Sequence, residues 1–193
     1  MIQRLSDNIV CWQIRKNIIE NEQRALYCYA YEVFINQTIN ILIAIFISIV
    51  LKAPMPVLVF FLSYLPLRSY CGGYHSKTNV GCTIVSSLLI VFVCLVEKTL
   101  TGELAVLLPP ISLIISGASI FIYAPVADKN KPLDEVETRH YRKKSRIIWL
   151  LEAIIGVMFW YFGLRAGVVI ATSHAILSFM LVYGVFKNKK ACD

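Results

Sequence analysis

The chain has 193 residues, of which 58% are hydrophobic and only 16% charged, with a mean hydropathy of +0.66. Soluble domains carry about 45–50% apolar and about 25% charged residues, so most of this surface must face lipid or neighbouring helices. The net charge of +7 does not argue for nucleic acid, because the basic residues sit in short segments between apolar runs, where membrane orientation requires them, and no nucleic-acid motif is present. The expected class is an all-α, polytopic helical membrane protein in one domain covering residues 1–193.

In chain order, residues 1–30 read as an amphipathic helix. Leu5, Ile9, Trp12 (or Cys11), Ile18 and Ala25 fall near one stripe, and Arg4, Arg15, Lys16, Glu20 and Arg24 fall elsewhere. Such a helix lies at the membrane surface with its apolar face in the headgroup boundary. Scattered charges and the lack of a continuous apolar core give no expectation of a cleavable signal sequence.

About six apolar segments follow within residues 33–186: Val33–Leu51, Pro54–Leu67, Thr83–Val96, Leu104–Val126, Ile147–Leu164 and Ala166–Phe186. Pro109-Pro110 predicts a kink near the start of the fourth. The second and third hold fourteen residues each, or ~21 Å of helix against a ~30 Å hydrocarbon core. They must either recruit flanking residues or form a re-entrant pair. Residues 187–193 form a short basic tail.

Lysine and arginine counts orient the chain. With six segments and both ends on one side, sixteen of them fall on that side and three (Lys52, Lys98 and Arg165) on the other. The rule that basic residues stay inside makes the first side cytoplasmic. The re-entrant arrangement gives the same sidedness. The loop Ala124–Leu133 and its charged continuation to Arg146 are then cytoplasmic, and anchoring to anionic lipid would account for their basic residues.

Between the second and third apolar segments lies a polar, glycine-bearing island, Arg68-Ser-Tyr-Cys-Gly-Gly-Tyr-His75-Ser-Lys77-Thr-Asn-Val-Gly-Cys82. Polar clusters at a membrane mark functional sites by default. Histidine is the side chain most easily poised as a base near neutral pH, and cysteine is the strongest side-chain nucleophile once ionised. A free thiol is only a few per cent thiolate at neutral pH, so activation is required. His75 can take the proton, and Cys82 begins an apolar run whose helix dipole would favour an anion. In one straight helix, residues seven apart are separated by ~10.5 Å along the axis, so a His75–Cys82 dyad requires a bend, for which Asn79 and Gly81 are suited. Gly72-Gly73 would let a substrate backbone approach closely. Backbone amides around Gly81–Thr83 are the natural oxyanion donors.

Competing assignments remain open from the residues alone. Cys71 is a second candidate nucleophile, although it has no obvious helix start. Cys71, His75 and Cys82 offer three zinc ligands but no convincing fourth, so no metal or other cofactor is expected. Cys28 and Cys94 read as packing residues, and Cys11 and Cys192 carry no motif. His174 reads as an interhelical hydrogen-bonding residue and His140 as solvated. The alternatives, ranked behind catalysis, are a gating or substrate loop of a small transporter and a metal-binding membrane sensor.

Arg68…Gly72-Gly73-Tyr-His75 followed by Cys82, then Asp128-Lys-Asn-Lys-Pro-Leu133 in the later loop, resemble the AgrB family, the accessory gene regulator B membrane peptidases of Gram-positive quorum sensing. The resemblance covers nearly the whole chain. It implies a cysteine endopeptidase with Cys82 as nucleophile and His75 as general base. It implies an AgrD-like propeptide substrate with an amphipathic leader and an acidic tail, an acyl-thioester intermediate, and capture by an internal substrate cysteine or serine to give a cyclic thiolactone or lactone. It also implies a homodimer in the cell membrane. The acidic tail would be drawn to Arg68, Lys77, Lys129 and Lys131, at a site on the cytoplasmic face.

Overall fold

The structure, a computed structural model, describes residues 2–73, 78–127 and 133–189. Among them it is all helical: α1 (Ile2–Arg15), α2 (Arg24–Val50), α3 (Pro54–Cys71), α4 (Asn79–Thr99), α5 (Gly102–Tyr123), α6 (Glu135–Tyr161) and α7 (Arg165–Lys189). The six apolar segments of the sequence correspond to α2 through α7. Four of these, α2, α4, α5 and α7, are long and apolar enough to cross a membrane. Their outward side chains are apolar: Phe34, Phe46 and Ile49 on α2 are each about two-thirds exposed. A surface of that kind suits a membrane protein.

The two short runs lengthen by recruiting their polar flanks. α3 takes in Arg68–Cys71 and reaches 18 residues; α4 takes in Asn79–Cys82 and Glu97–Thr99 and reaches 21. At 1.5 Å per residue, α4 then matches a ~30 Å core.

The N-terminal segment differs from expectation. It is not one helix through residue 30: α1 stops at Arg15, Asn17 takes a left-handed φ of +54°, and a 3-10 turn at Asn21–Gln23 leads into α2. The break lets α1 fold onto the start of α2. There Gln13 Nε2 donates to the Tyr31 hydroxyl at 2.7 Å, and Arg24 Nη2 lies 3.8 Å from Asp7 Oδ1. Ser6 and Val10 face inward while Leu5 and Trp12 stay exposed, as an interfacial helix requires.

Pro109 and Pro110 lie inside an uninterrupted α5. The missing N–H of Pro110 releases the carbonyl four residues back, Val106. That carbonyl accepts a hydrogen bond from Trp160 Nε1 on α6 at 2.9 Å, so a neighbouring helix supplies the lost donor.

α7 packs against α3, α4, α5 and α6 at the centre of the bundle. Small residues allow the close approach: Ser63 and Ser173 hydroxyls meet at 2.7 Å, and a Cβ on Gly167 would lie 3.0 Å from the Trp160 backbone nitrogen. Contacts of this size replace the hydrophobic drive that lipid removes. His174 on α7 is fully buried and its Nε2 lies 3.0 Å from Glu152 Oε2 on α6. Removing one partner of a buried pair leaves the other uncompensated at a cost of about 3–5 kcal/mol, whereas apolar replacement of both is often neutral. His174→Leu should therefore lower the unfolding free energy by about 3 kcal/mol, and adding Glu152→Leu should recover most of the loss. Thermal unfolding in detergent, followed by tryptophan fluorescence, checks the order; a double variant weaker than the single would contradict it.

Hydrogen bonds define the two ends of the bundle. At one end Lys98 Nζ donates to the Leu51 carbonyl and Arg165 Nη1 to the Leu100 carbonyl at 2.7 Å, with Arg165 Nε 3.5 Å from Glu97. This gathers the turns after α2, α4 and α6. At the other end Gly72 and Val126 form a parallel bridge between the segments that follow α3 and α5. The island and the later basic loop therefore lie at the same end.

Candidate active site

Cys82 is in the first turn of α4 and is half-buried. The helix starts because Thr78, extended at φ −131° and ψ 148°, caps it: its hydroxyl accepts from the Gly81 amide at 3.1 Å and its carbonyl from the Cys82 amide at 3.0 Å. A capped start fixes the register of the thiol at the head of α4. The same bonds correct one expectation. The Gly81 and Cys82 amides are already engaged by Thr78, so they are not poised as oxyanion donors. The residue that does meet the sulfur comes from α2: Asn40 Nδ2 lies 3.9 Å from Cys82 Sγ. The sequence signal for it was the polar trio Asn36, Gln37 and Asn40 at the head of an otherwise apolar run.

His75 and Lys77 lie outside the described residues, as do Lys129 and Lys131 in the later loop. α4 begins at Asn79, after an extended Thr78.

Cys71, the rival nucleophile, ends α3 with no exposure, packed with Leu67, Ile120, Ala124, Leu177 and Leu181. A thiol enclosed on every side cannot meet a peptide carbonyl. Among the described residues no group of three His, Cys, Asp or Glu is placed to hold a metal.

The glycines and Arg68 form the latch beside the site. Arg68 Nη1 donates to the Gly72 carbonyl. Gly72 has φ +69°, and the Val126 amide donates to the Cys71 carbonyl at 2.9 Å. A Cβ on Gly72 would lie 2.1 Å from the Val126 oxygen. Gly73, at φ +110°, is pressed against the backbone of Met180 and Leu181 on α7. The close approach made by these two glycines in the structure is therefore to the protein's own backbone. On the far side of the latch, Tyr70 meets Tyr141 edge-on at 5.5 Å. There α6 begins at an Asp134 cap whose Oδ1 accepts from the Glu137 amide at 2.6 Å, the N-terminal cap that the charged block after Leu133 encodes. Val126 sits two residues before Asp128, so the latch aligns the chain entering the basic loop with the chain entering the island.

The chain matches the profile of the family described as AgrB, accessory gene regulator B, over residues 2–186. It is 28% identical over 154 residues to the accessory gene regulator protein B of Staphylococcus aureus (strain N315), covering 79% of this chain and 80% of that protein. It is 23% identical over 151 residues to putative AgrB-like protein 2 of Clostridium perfringens (strain 13 / Type A), covering 74% and 71%. No solved structure matches it. With a profile match running from α1 almost to the end of α7, around a capped cysteine at the head of α4, the chain belongs to the accessory gene regulator B family of quorum sensing.

Proposed function

We propose that the protein is a multi-pass cysteine endopeptidase of the cell membrane, working as a homodimer on an AgrD-like propeptide. The observation that carries the reading is the half-buried Cys82 thiol in the capped first turn of an apolar helix, seven residues after His75. In this reading the Cys82 thiolate attacks the carbonyl before the acidic tail. The S–C bond forms, the C–N bond breaks, and the tail amine leaves with a proton delivered by His75. The rest of the propeptide remains joined to Cys82 as an acyl-thioester. An internal cysteine or serine of the substrate, between leader and tail, then attacks the thioester, freeing the Cys82 thiol and closing a thiolactone or lactone. Transfer in preference to hydrolysis requires water to be kept from the thioester, which a site at the membrane would favour. The excess of basic residues at the island's end supports a cytoplasmic site.

The test uses the protein reconstituted in vesicles with a synthetic peptide that carries an amphipathic leader, an internal cysteine and an acidic tail. Release of the tail, with a transient mass increase confined to Cys82, is expected. Tail release without an adduct at Cys82, or adduct formation at another cysteine, would defeat the reading.

Lys129 and Lys131 are proposed to draw the acidic tail toward the site, together with Lys77 and Arg68. The latch between Gly72 and Val126 supports this by joining the two segments that carry them. Replacing Lys129 and Lys131 by Gln should slow cleavage of an acidic tail more than that of a neutral one. Added salt should narrow the wild-type advantage, because exposed charges are screened over ~8 Å at physiological ionic strength. Cleavage rates normalised to correctly oriented protein decide; equal losses for both tails would restrict the lysines to anchoring the loop.

A further inference from the structure

We infer that Asn40 supplies the side-chain amide that stabilises the oxyanion formed when Cys82 attacks a carbonyl. This rests on the reading of Cys82 as nucleophile. Asn40 turns a hydrogen-bond donor toward the Cys82 sulfur, with Nδ2 to Sγ at 3.9 Å. It comes from α2, 42 residues earlier in the chain, and is 8% exposed. Burying an amide without partners is costly, yet its Oδ1 has none. The side chain is thus not consumed by an ordinary helix–helix bond, and its donor end is directed at the thiol.

The chemistry matches that position. When the thiolate adds to a carbonyl, the S–C bond forms and the carbonyl π electrons move onto oxygen. That oxyanion is bonded to the same carbon as the sulfur, so it stands just beyond Sγ. A donor 3.9 Å from Sγ is within reach of an oxygen two bonds from that sulfur, for which a donor distance of ~2.7–3.1 Å is required. Catalytic hydrogen bonds often tighten on binding. The obvious backbone donors are committed: Thr78 holds the Gly81 and Cys82 amides. Collapse of the intermediate restores the carbonyl, breaks the bond to the leaving group and releases the Asn40 amide.

Two reagents separate this role from a structural one, using the full chain in vesicles. Iodoacetamide alkylates a thiolate without forming an oxyanion. p-Nitrophenyl acetate acylates it through a tetrahedral oxyanion and releases p-nitrophenolate. Alkylation is read at Cys82 by peptide mass spectrometry, and acylation as the p-nitrophenolate burst in excess of that given by Cys82→Ala. Asn40→Leu keeps the size and suits a membrane helix. It should lower the acylation rate about 10²-fold while changing alkylation far less, and Asn40→Ala should behave alike. Asn36→Leu, one turn away with a buried Oδ1 unpartnered among the described residues, should leave the ratio of the two rates unchanged. An unchanged ratio in Asn40→Leu, or an equal fall in both rates, overturns the role of Asn40 while leaving Cys82 as nucleophile. The same fall in ratio in Asn36→Leu also overturns it, as a nonspecific helix effect. A wild-type burst no larger than that of Cys82→Ala removes the nucleophile reading itself, and the Asn40 role with it.

Discussion

Cys82→Ala should abolish propeptide cleavage, a loss on the order of 10⁴-fold or more, as for removal of a covalent nucleophile elsewhere. Cys71→Ala should keep most of the activity. The contrast follows from placement. Cys82 is partly open and fixed by the Thr78 cap at the head of α4, whereas Cys71 is enclosed by Leu67, Ile120, Leu177 and Leu181. Truncating Cys71 removes one sulfur from a packed cluster, so its effect should appear in stability. Tail release and thermal midpoint, measured on the same preparations, separate the two effects. An active Cys82→Ala protein would end the assignment of this residue as nucleophile.

Gly72→Ala should open the latch. The position combines φ +69° with ψ −141°, a region open essentially to glycine alone and costing other residues about 1–3 kcal/mol. The added Cβ would also meet the Val126 oxygen at 2.1 Å. That contact is with backbone, which cannot swing aside as a side chain can, so the bridge must part. Gly102 provides the comparison: it has φ +65°, but a Cβ there meets nothing within 4 Å. Gly102→Ala should cost only about 1 kcal/mol, the backbone penalty. Gly72→Ala should cost at least about 3 kcal/mol, lose amide protection at Val126 and depress cleavage. Hydrogen exchange at the Val126 amide, which donates to Cys71, reads the latch directly. Retained protection there would mean that the two segments are joined by other contacts.

The latch also marks where the sequence stopped being informative. Arg68, Gly72 and Gly73 stood out in the sequence as residues that would receive substrate. The structure also gives each a partner within the protein: Arg68 the Gly72 carbonyl, Gly72 the Val126 backbone, and Gly73 the backbone of α7. A positive φ and a close backbone approach produce the same sequence signal whether the approaching chain is a substrate or the protein's own loop. Asn40 shows the converse. It was visible as an amide in an apolar run, but its tie to Cys82 spans 42 residues, and no periodicity in the chain announces such a distance.

Composition and hydropathy by themselves determined the class and the number of apolar segments, because lipid forces every backbone polar group into helices and every long apolar run into a segment. The sequence also located Cys82 near a helix start, because it opens an apolar run; the structure sets that start at Asn79, under a Thr78 cap. Tertiary structure alone decided that the N-terminal segment breaks at Asn17 to fold onto α2. It alone decided that α3 and α4 lengthen into their polar flanks, that Glu152 and His174 meet inside the bundle, and that Asn40 faces the thiol. These outcomes depend on which helices are neighbours. In a membrane that choice is made by small-residue packing and interhelical hydrogen bonds, which arise between residues far apart in the chain and leave no local pattern to read.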